Sequence, residues 1–333
     1  MKKSFKQITK VVASVIVLSF AFTGCQSKGG TYPSKKVDFI APGGAGGGWD
    51  TAIRTVAQTL QTTKLITVPM PVTNHAGGGG AVALADLQKK AGDDHTIVVY
   101  SPPLLLINLN GTSEYSYNDL TPISRLITDY GCFVVSKNSK YKTINEIFDA
   151  LKADPKSVKF GGNSAAGSMD HIQFIVAAQA AGIEDISQLD YISFQNNEGA
   201  AQLLGGHIDL LSTGLADVAG LVESGDLLAL ASTADERVGT GVLAEIPTLK
   251  EQGIDSVFYN WRGLFGPKDM PADVLKFWED TLAKMVETKE WDEACTKNGW
   301  TKSYANSADF KTFLDQTNEE YKEVLEDLGM LAK

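Results

Sequence analysis

The chain has 333 residues, 43 % hydrophobic and 21 % charged, a globular composition that excludes a disordered or fibrous protein and leaves room for about two domains. Its 30 basic and 40 acidic residues give a net charge of −10, which excludes the basic face that nucleic-acid phosphates require. The four histidines, His75, His95, His171 and His207, share no metal-ligand spacing, and Cys25, Cys132 and Cys295 form no CxxC, so no zinc or iron–sulfur site is expected.

Residues 1–24 carry Lys2, Lys3, Lys6 and Lys10 and no acid. The apolar run that follows, 11–22, is 12 residues long, short of the roughly 20 a bilayer span needs. It reads as a secretory signal. The run ends in Phe22-Thr23-Gly24-Cys25, which resembles a bacterial lipobox with Phe22 in place of the usual leucine. Cleavage before Cys25 and lipidation of its sulfur are therefore expected, with 25–34 as a polar, glycine-containing tether. Taking four lysines from a net charge of −10 leaves −14 for the mature chain. Cys132 and Cys295 then either pair or remain small buried residues.

Strands alternate with helices along the mature chain, which predicts an α/β class built of parallel βαβ units. Expected strands lie at 37–41, 66–73, 96–100, 158–160, 189–194, 208–213 and 227–232. Expected helices lie at 51–62, capped by Asp50, and at 81–90, 144–153, 169–181, capped by Ser168, 198–204 and 216–223. The last stretch changes character: 272–288, 290–298 and 307–328 read as helices with no further strong strand.

Two strand-to-helix loops are rich in glycine. The first is Gly43-Gly44-Ala45-Gly46-Gly47-Gly48-Trp49 and the second Gly161-Gly162-Asn163-Ser164-Ala165-Ala166-Gly167-Ser168. Such loops expose unpaired N–H groups at the positive end of a helix dipole, and glycine lets a ligand approach the backbone, so they suit a carboxylate or phosphate. A nucleotide site would need a lysine after the glycines, where Trp49-Asp50 stands. A dinucleotide site would need glycine where Trp49 is and an acid some 20 residues on, yet 51–85 contains neither Asp nor Glu. No G-x-S-x-G elbow is present. Ser168 and His171 stand three apart with no evident third partner, so His171 reads first as a locally packed residue. Arg262, in Asn260-Trp261-Arg262-Gly263, either clamps a carboxylate bidentately or forms a structural ion pair. Trp49 and Trp261 either wall a cleft or fill the core.

With these loops in hand, the chain from about Val37 to Leu328 resembles the substrate-binding proteins of tripartite tricarboxylate transporters. The motifs that carry the likeness are Pro42-Gly43-Gly44 with Gly47-Gly48-Trp49-Asp50, and Asn74-His75-Ala76-Gly77-Gly78-Gly79-Gly80. Further on come Gly167-Ser168-Met169-Asp170-His171, Leu203-Leu204-Gly205-Gly206-His207-Ile208-Asp209, 246–253 and Asn260-Trp261-Arg262-Gly263. The resemblance implies a two-lobed Venus-flytrap fold of the periplasmic-binding-protein kind, its C-terminal helices returning to the first lobe. It implies a ligand carboxylate held by Gly43, Gly44, Gly47, Gly48, Trp49 and Asp50 and by Asn163, Ser164, Gly167 and Ser168. Ser101, Thr213 and Gly214 are expected at other strand ends of the cleft, with Arg262 beside them. Gln195-Asn196-Asn197-Glu198 departs from the family pattern, adding an acid near the cleft.

The reading is thus a signal peptide at 1–24, a tether at 25–34, lobe one at 35–136 and 261–333, and lobe two at 137–260. The protein is expected to be a monomeric, lipid-anchored receptor on the outer side of the cytoplasmic membrane. It takes no cofactor or metal, binds a small citrate-like di- or tricarboxylate without catalysis, and delivers it to membrane permease subunits. The alternatives are the same fold holding an amino acid or aromatic acid stacked on Trp49 and Trp261, and a secreted hydrolase using Ser168 and His171.

Overall fold

The computed structural model describes residues 32–194 and 198–332. The expected signal segment, Cys25, most of the tether and Gln195-Asn196-Asn197 lie outside the described residues. Ten strands are present: β1 (Asp38–Ala41), β2 (Val72–Asn74), β3 (Thr96–Tyr100), β4 (Leu120–Ser136), β5 (Phe160–Gly162), β6 (Tyr191–Ser193), β7 (Leu210–Gly214), β8 (Leu227–Ser232), β9 (Tyr259–Pro267) and β10 (Thr301–Ala305). The helices are α1 (Gly48–Thr62), α2 (Ala81–Gln88), α3 (Pro103–Leu109), α4 (Ile144–Ala153), α5 (Met169–Ala180), α6 (Gly199–Leu204), α7 (Leu215–Glu223), α8 (Ala272–Met285), α9 (Lys289–Asn298) and α10 (Ser307–Asp327). The class is α/β as expected, but the sheet is mixed. β1 pairs in parallel with β2 and β3, and β5 with β6 and β7; every pairing of β4 and β9 is antiparallel.

Five elements depart from the sequence reading, α3 and β9 among them, since neither was among the expected elements. β2 covers only the end of the expected 66–73 strand, because 66–71 returns to the sheet as an irregular segment. β10 was not expected; its Thr-Lys-Ser-Tyr-Ala sequence carries no buried run. The largest departure is β4, a strand of 17 residues that runs through the whole sheet. Its pattern is broken by Pro122, which sits where the register shifts against β9, the position a bulge leaves for proline.

β4 changes partners part-way. Up to Tyr130 it pairs with β9 and β10; from Gly131 onward it pairs with β7 and β8. The switch is stitched by Thr233, whose hydroxyl accepts from the Gly131 N–H at 2.8 Å and donates to the Phe258 carbonyl at 3.0 Å. Gly131 is forced by proximity: a Cβ there would lie 2.0 Å from Gln173 Oε1.

Helices cover both faces of the sheet, so inner strands such as β3 and β7 are buried along their whole length. On the β1–β3 side, α1, α8 and α9 pack Ile53, Leu60, Trp278 and Trp291 on one face. On the other, α3 and α10 pack Leu104, Leu106, Phe310 and Leu314. On the β5–β7 side, α4 and α5 bury Ile147, Phe148 and Phe174, and α6 and α7 bury Leu203 and Val218. Cys132 and Cys295 are both buried and free, in separate clusters.

Replacing Gly131 by alanine forces a methyl into the buried Gln173 amide. The expected cost is about 1–3 kcal/mol, the usual range for overpacking a tight interior. Urea denaturation followed by circular dichroism measures it, and an unchanged midpoint would contradict this account of the switch point.

Candidate functional site

One cleft of about 310 Å³ opens where loops from both sides of the partner switch meet, within the size range of small-ligand sites. Its first wall is the loop between β1 and α1: Gly43, Gly44, Gly47, Gly48 and Trp49 all line it. No side chain caps α1, so the N–H groups of its first turn are left for a ligand. Asp50, expected as the cap, lies inside the first turn, and Gly47 holds the N-cap position. The Asp50 carboxylate accepts from the Gly46 N–H at 3.0 Å, Arg54 Nε at 2.8 Å and Asn74 Nδ2 at 3.0 Å, and so holds the loop from behind. Burial alone would raise the pKa of Asp50, but these donors outweigh it and hold the group below the usual carboxylate range. Trp49 is partly buried; its Nε1 donates to Ser101 Oγ at 2.8 Å, fixing this wall to the end of β3, and Ser101 lines the cleft beside it.

A neighbouring segment belongs to the same wall. Ala76, Gly77, Gly78 and Gly79 line the cleft, and Gly77 to Gly80 have φ of 138°, 56°, 63° and 101°. Only glycine adopts four such angles in succession without strain. Sequence reasoning quoted this run as a family motif and did not place it in the site.

The second wall comes from the β5–α5 and β7–α7 loops. Asn163, Ser164 and Thr213 line it. Asn163 Oδ1 accepts from the Gly199 N–H at 2.8 Å, and Ser164 Oγ from the Asp170 N–H at 2.9 Å. Gly167, Ser168 and Gly214, expected here, are not on the cleft surface. Gly167 takes φ 74° and packs toward Asn110 and Met330. Ser168 sits at the N-cap position of α5 but its buried hydroxyl makes no capping bond; Ser164 serves that first turn instead. Gly214 ends β7 as the N-cap of α7, and a Cβ on it would lie 2.8 Å from Asp217 Oδ2.

Ser168 and His171 are not linked. His171 Nδ1 accepts from the Gly167 N–H at 3.0 Å, and its ring stacks on Tyr191. Burial lowers the pKa of His171 to about 4, which keeps the ring neutral and able to accept that bond. Trp261 is 1 % exposed against Phe310 and Phe313 and does not reach the cleft.

Arg262 forms the structural ion pair that was one of its two expected roles, and it does so at the cleft. It lines the cleft, and its Nη2 donates to Asp129 Oδ2 at 3.1 Å in a pair that is almost wholly buried. The guanidinium lies so close to α1 that a Cβ on Gly48 would be 2.3 Å from Nη2.

Two acids missing from the sequence reading also line the cleft, Asp170 and Asp217. The signal was available in part, since Asp170 lies within the Gly167-Ser168-Met169-Asp170-His171 motif. Burial, then the Asp217 charge, lifts Asp170 to about 7 against donors from Asn163 and Ser164. Asp217 lines the cleft and is also shifted upward, first by desolvation of its carboxyl and then by Asp129, against the pull of Arg262.

A family model described as "Tripartite tricarboxylate transporter family receptor" matches residues 52–330. The chain belongs to that receptor family. Its members bind small carboxylates outside the cytoplasmic membrane and work with membrane transporter components. The "UPF0065 protein in gbd 5'region" of Cupriavidus necator is 25 % identical over 327 residues, 96 % of this chain and 95 % of the relative. A crystal structure of a TctC solute binding protein from Polaromonas is 26 % identical with a TM-score of 0.65, covering 90 % of this chain and all of that one. A Rhodopseudomonas palustris protein solved with adipate shares the fold at a TM-score of 0.80 and 20 % identity, over 90 % of this chain and 98 % of that one. Among the described residues, no helix is long and apolar enough to cross a membrane.

Because the folded chain holds a proton on Asp170 up to about pH 7 while an unfolded aspartate releases it near about pH 4, this group makes the native state less stable as pH rises across that window. Asp170→Asn removes the effect. The stability of the wild type relative to Asp170→Asn, from urea melts at pH 4.5, 6 and 7.5, should therefore fall as pH increases. A difference that stays flat would mean Asp170 titrates as an ordinary carboxylate.

Proposed function

We propose that this receptor captures a small organic di- or tricarboxylate, citrate-like in class, in the cleft and delivers it to membrane permease subunits. The observation that carries the reading is the uncapped start of α1, presented by a glycine loop to a cavity of about 310 Å³. A carboxylate there completes the free N–H groups and meets the positive end of the helix dipole. The adipate bound by the R. palustris neighbour is of the same chemical class.

Two lobes, 35–136 with 261–333 and 137–260, close on the ligand by hinge motion. In support, β4 changes partners at Gly131, and the chain recrosses at Thr233 and Phe258, so few backbone bonds join the two sides there. Lipidation at Cys25 tethers the receptor to the outer face of the membrane, and the protein acts as a monomer without a cofactor.

A thermal-shift screen over citrate, malate, adipate and related acids tests this. A ligand at a hundred times its Kd adds about 2.7 kcal/mol to the folded state and raises the melting temperature by several degrees. Gly44→Val is the diagnostic variant. Nothing lies within 4 Å of a Cβ at this position, so the fold should tolerate it while the side chain occupies the cleft. The variant should melt as the wild type does without ligand and lose the ligand-induced shift. Retention of the full shift would place the site elsewhere.

A further inference from the structure

Met330, a half-buried residue that no sequence motif singled out, packs behind the second wall of the cleft. Its place is set by the end of α10, which closes in a Schellman turn. The Met330 N–H donates to the Leu325 carbonyl at 2.8 Å and the Gly329 N–H to the Glu326 carbonyl at 2.9 Å, with Gly329 at φ 64°. The turn reverses the chain and brings residues 330–332 to the end of α3. There the Ala332 N–H donates to the Leu109 carbonyl at 2.8 Å, and a Cβ on Gly111 would lie 3.1 Å from Ala332 Cβ. The segment is thus tied at both ends to elements of the β1–β3 side.

Between those ties it touches the β5–β7 side. A Cβ on Gly167, whose φ is 74°, would have Asn110 Nδ2 at 3.4 Å and Met330 Sδ at 3.6 Å. Leu328 packs against the cluster of Leu104 and Phe310 and also against that of Phe148 and Phe174. Gly167 belongs to the second glycine-containing loop, whose Asn163 and Ser164 line the cleft. The cleft end of that loop is held from within its own side: the Ser164 carbonyl accepts from Tyr191 Oη at 2.8 Å and from Ser193 Oγ at 2.9 Å. The Gly167 end is held by His171 on its inner side and meets Asn110 and the Met330 thioether on its outer side.

A loop of small residues between a strand and a helix is mobile unless something packs on it. A loop already ordered before the ligand arrives spares binding the cost of ordering it, and a long, unbranched thioether suits an irregular gap of this kind. We propose that Met330 is a positioning residue for ligand binding: seated by the α10 turn and the Ala332–Leu109 bond, it braces the Gly167 end of the loop whose other end presents Asn163 and Ser164. The ligand half of this inference rests on the carboxylate reading; the brace itself does not.

Hydrogen exchange of the ligand-free protein, read by mass spectrometry, tests the brace alone. The Gly167 N–H is bonded to His171 and the Ser168 N–H to the Ala165 carbonyl, so both amides report opening of the loop. Met330→Ala should raise exchange across 163–168 severalfold and leave 43–49 at the wild-type rate. Ala332→Pro, which removes the N–H bonded to Leu109, should do the same, and Met330→Leu should restore the wild-type pattern. Stopped-flow binding of citrate, malate and adipate completes the test. Whichever of these the wild type holds should bind Met330→Ala about threefold to tenfold more weakly, through faster dissociation, and Met330→Leu should recover the affinity. Unchanged exchange at 163–168, an equal rise at 43–49, or an affinity that survives Met330→Ala would each overturn the brace and leave the carboxylate receptor standing. If none of the three acids binds the wild type, the proposed function falls, and the exchange measurement decides the brace.

Discussion

The ion pair between Arg262 and Asp129 is the constraint on which the cleft depends. Asp129 lies on β4 two residues before Gly131, where that strand changes partners, and Arg262 lies on β9, its neighbour in the sheet. Burying two charges is costly, and such a pair persists when each group satisfies the other; removing one partner typically costs about 3–5 kcal/mol. The guanidinium also fixes the residue above it. Its Nη2 occupies the space a side chain at Gly48 would need, so the start of α1 can come down onto the pair only with glycine in that position. The sheet, the partner switch and the anion-facing helix end are thus locked at one point.

The electrostatics of the cleft follow local geometry rather than net charge. A chain with ten more acidic than basic residues can still present a wall suited to an anion, because oriented N–H groups at a helix start set the field within a few ångströms. On that wall Asp50 faces its own loop, where it binds Gly46 and Asn74, and the Arg262 guanidinium beside Gly48 is paired with Asp129. The other wall reverses the sign with Asp170 and Asp217.

Much of the fold was legible from local pattern. The strand at 96–100 and the helix at 144–153 follow directly from a buried apolar run and an amphipathic period, and both are found at those bounds. The glycine loop before Trp49 was readable because so dense a run has few uses besides close backbone approach. What escaped detection was set by tertiary context. β4 mixes Pro122, Arg125, Asp129 and Gly131 with apolar residues, since it is a middle strand with different neighbours at each end. No periodicity reports that. Asp50 looked like a helix cap, and only the structure shows Arg54 and Asn74 drawing its carboxylate behind the loop. Asp170 and Asp217 read as ordinary first-turn acids, and their standing together on one wall depends on the pairing of β5 with β7, which sequence spacing does not encode. Arg262 admitted a structural and a ligand-facing reading; the buried pair with Asp129 is the structural one, formed at a position that also lines the cleft.

The central physical claim is that the backbone amides of the first glycine loop receive the ligand carboxylate. Amide proton and nitrogen shifts of an isotope-labelled sample, recorded while a tight-binding acid is added, test it most directly. The resonances of Gly43, Gly44, Gly47 and Gly48 should move downfield and saturate together with the binding isotherm. If those amides hold their positions while others elsewhere in the molecule respond, the carboxylate is gripped by some other part of the protein.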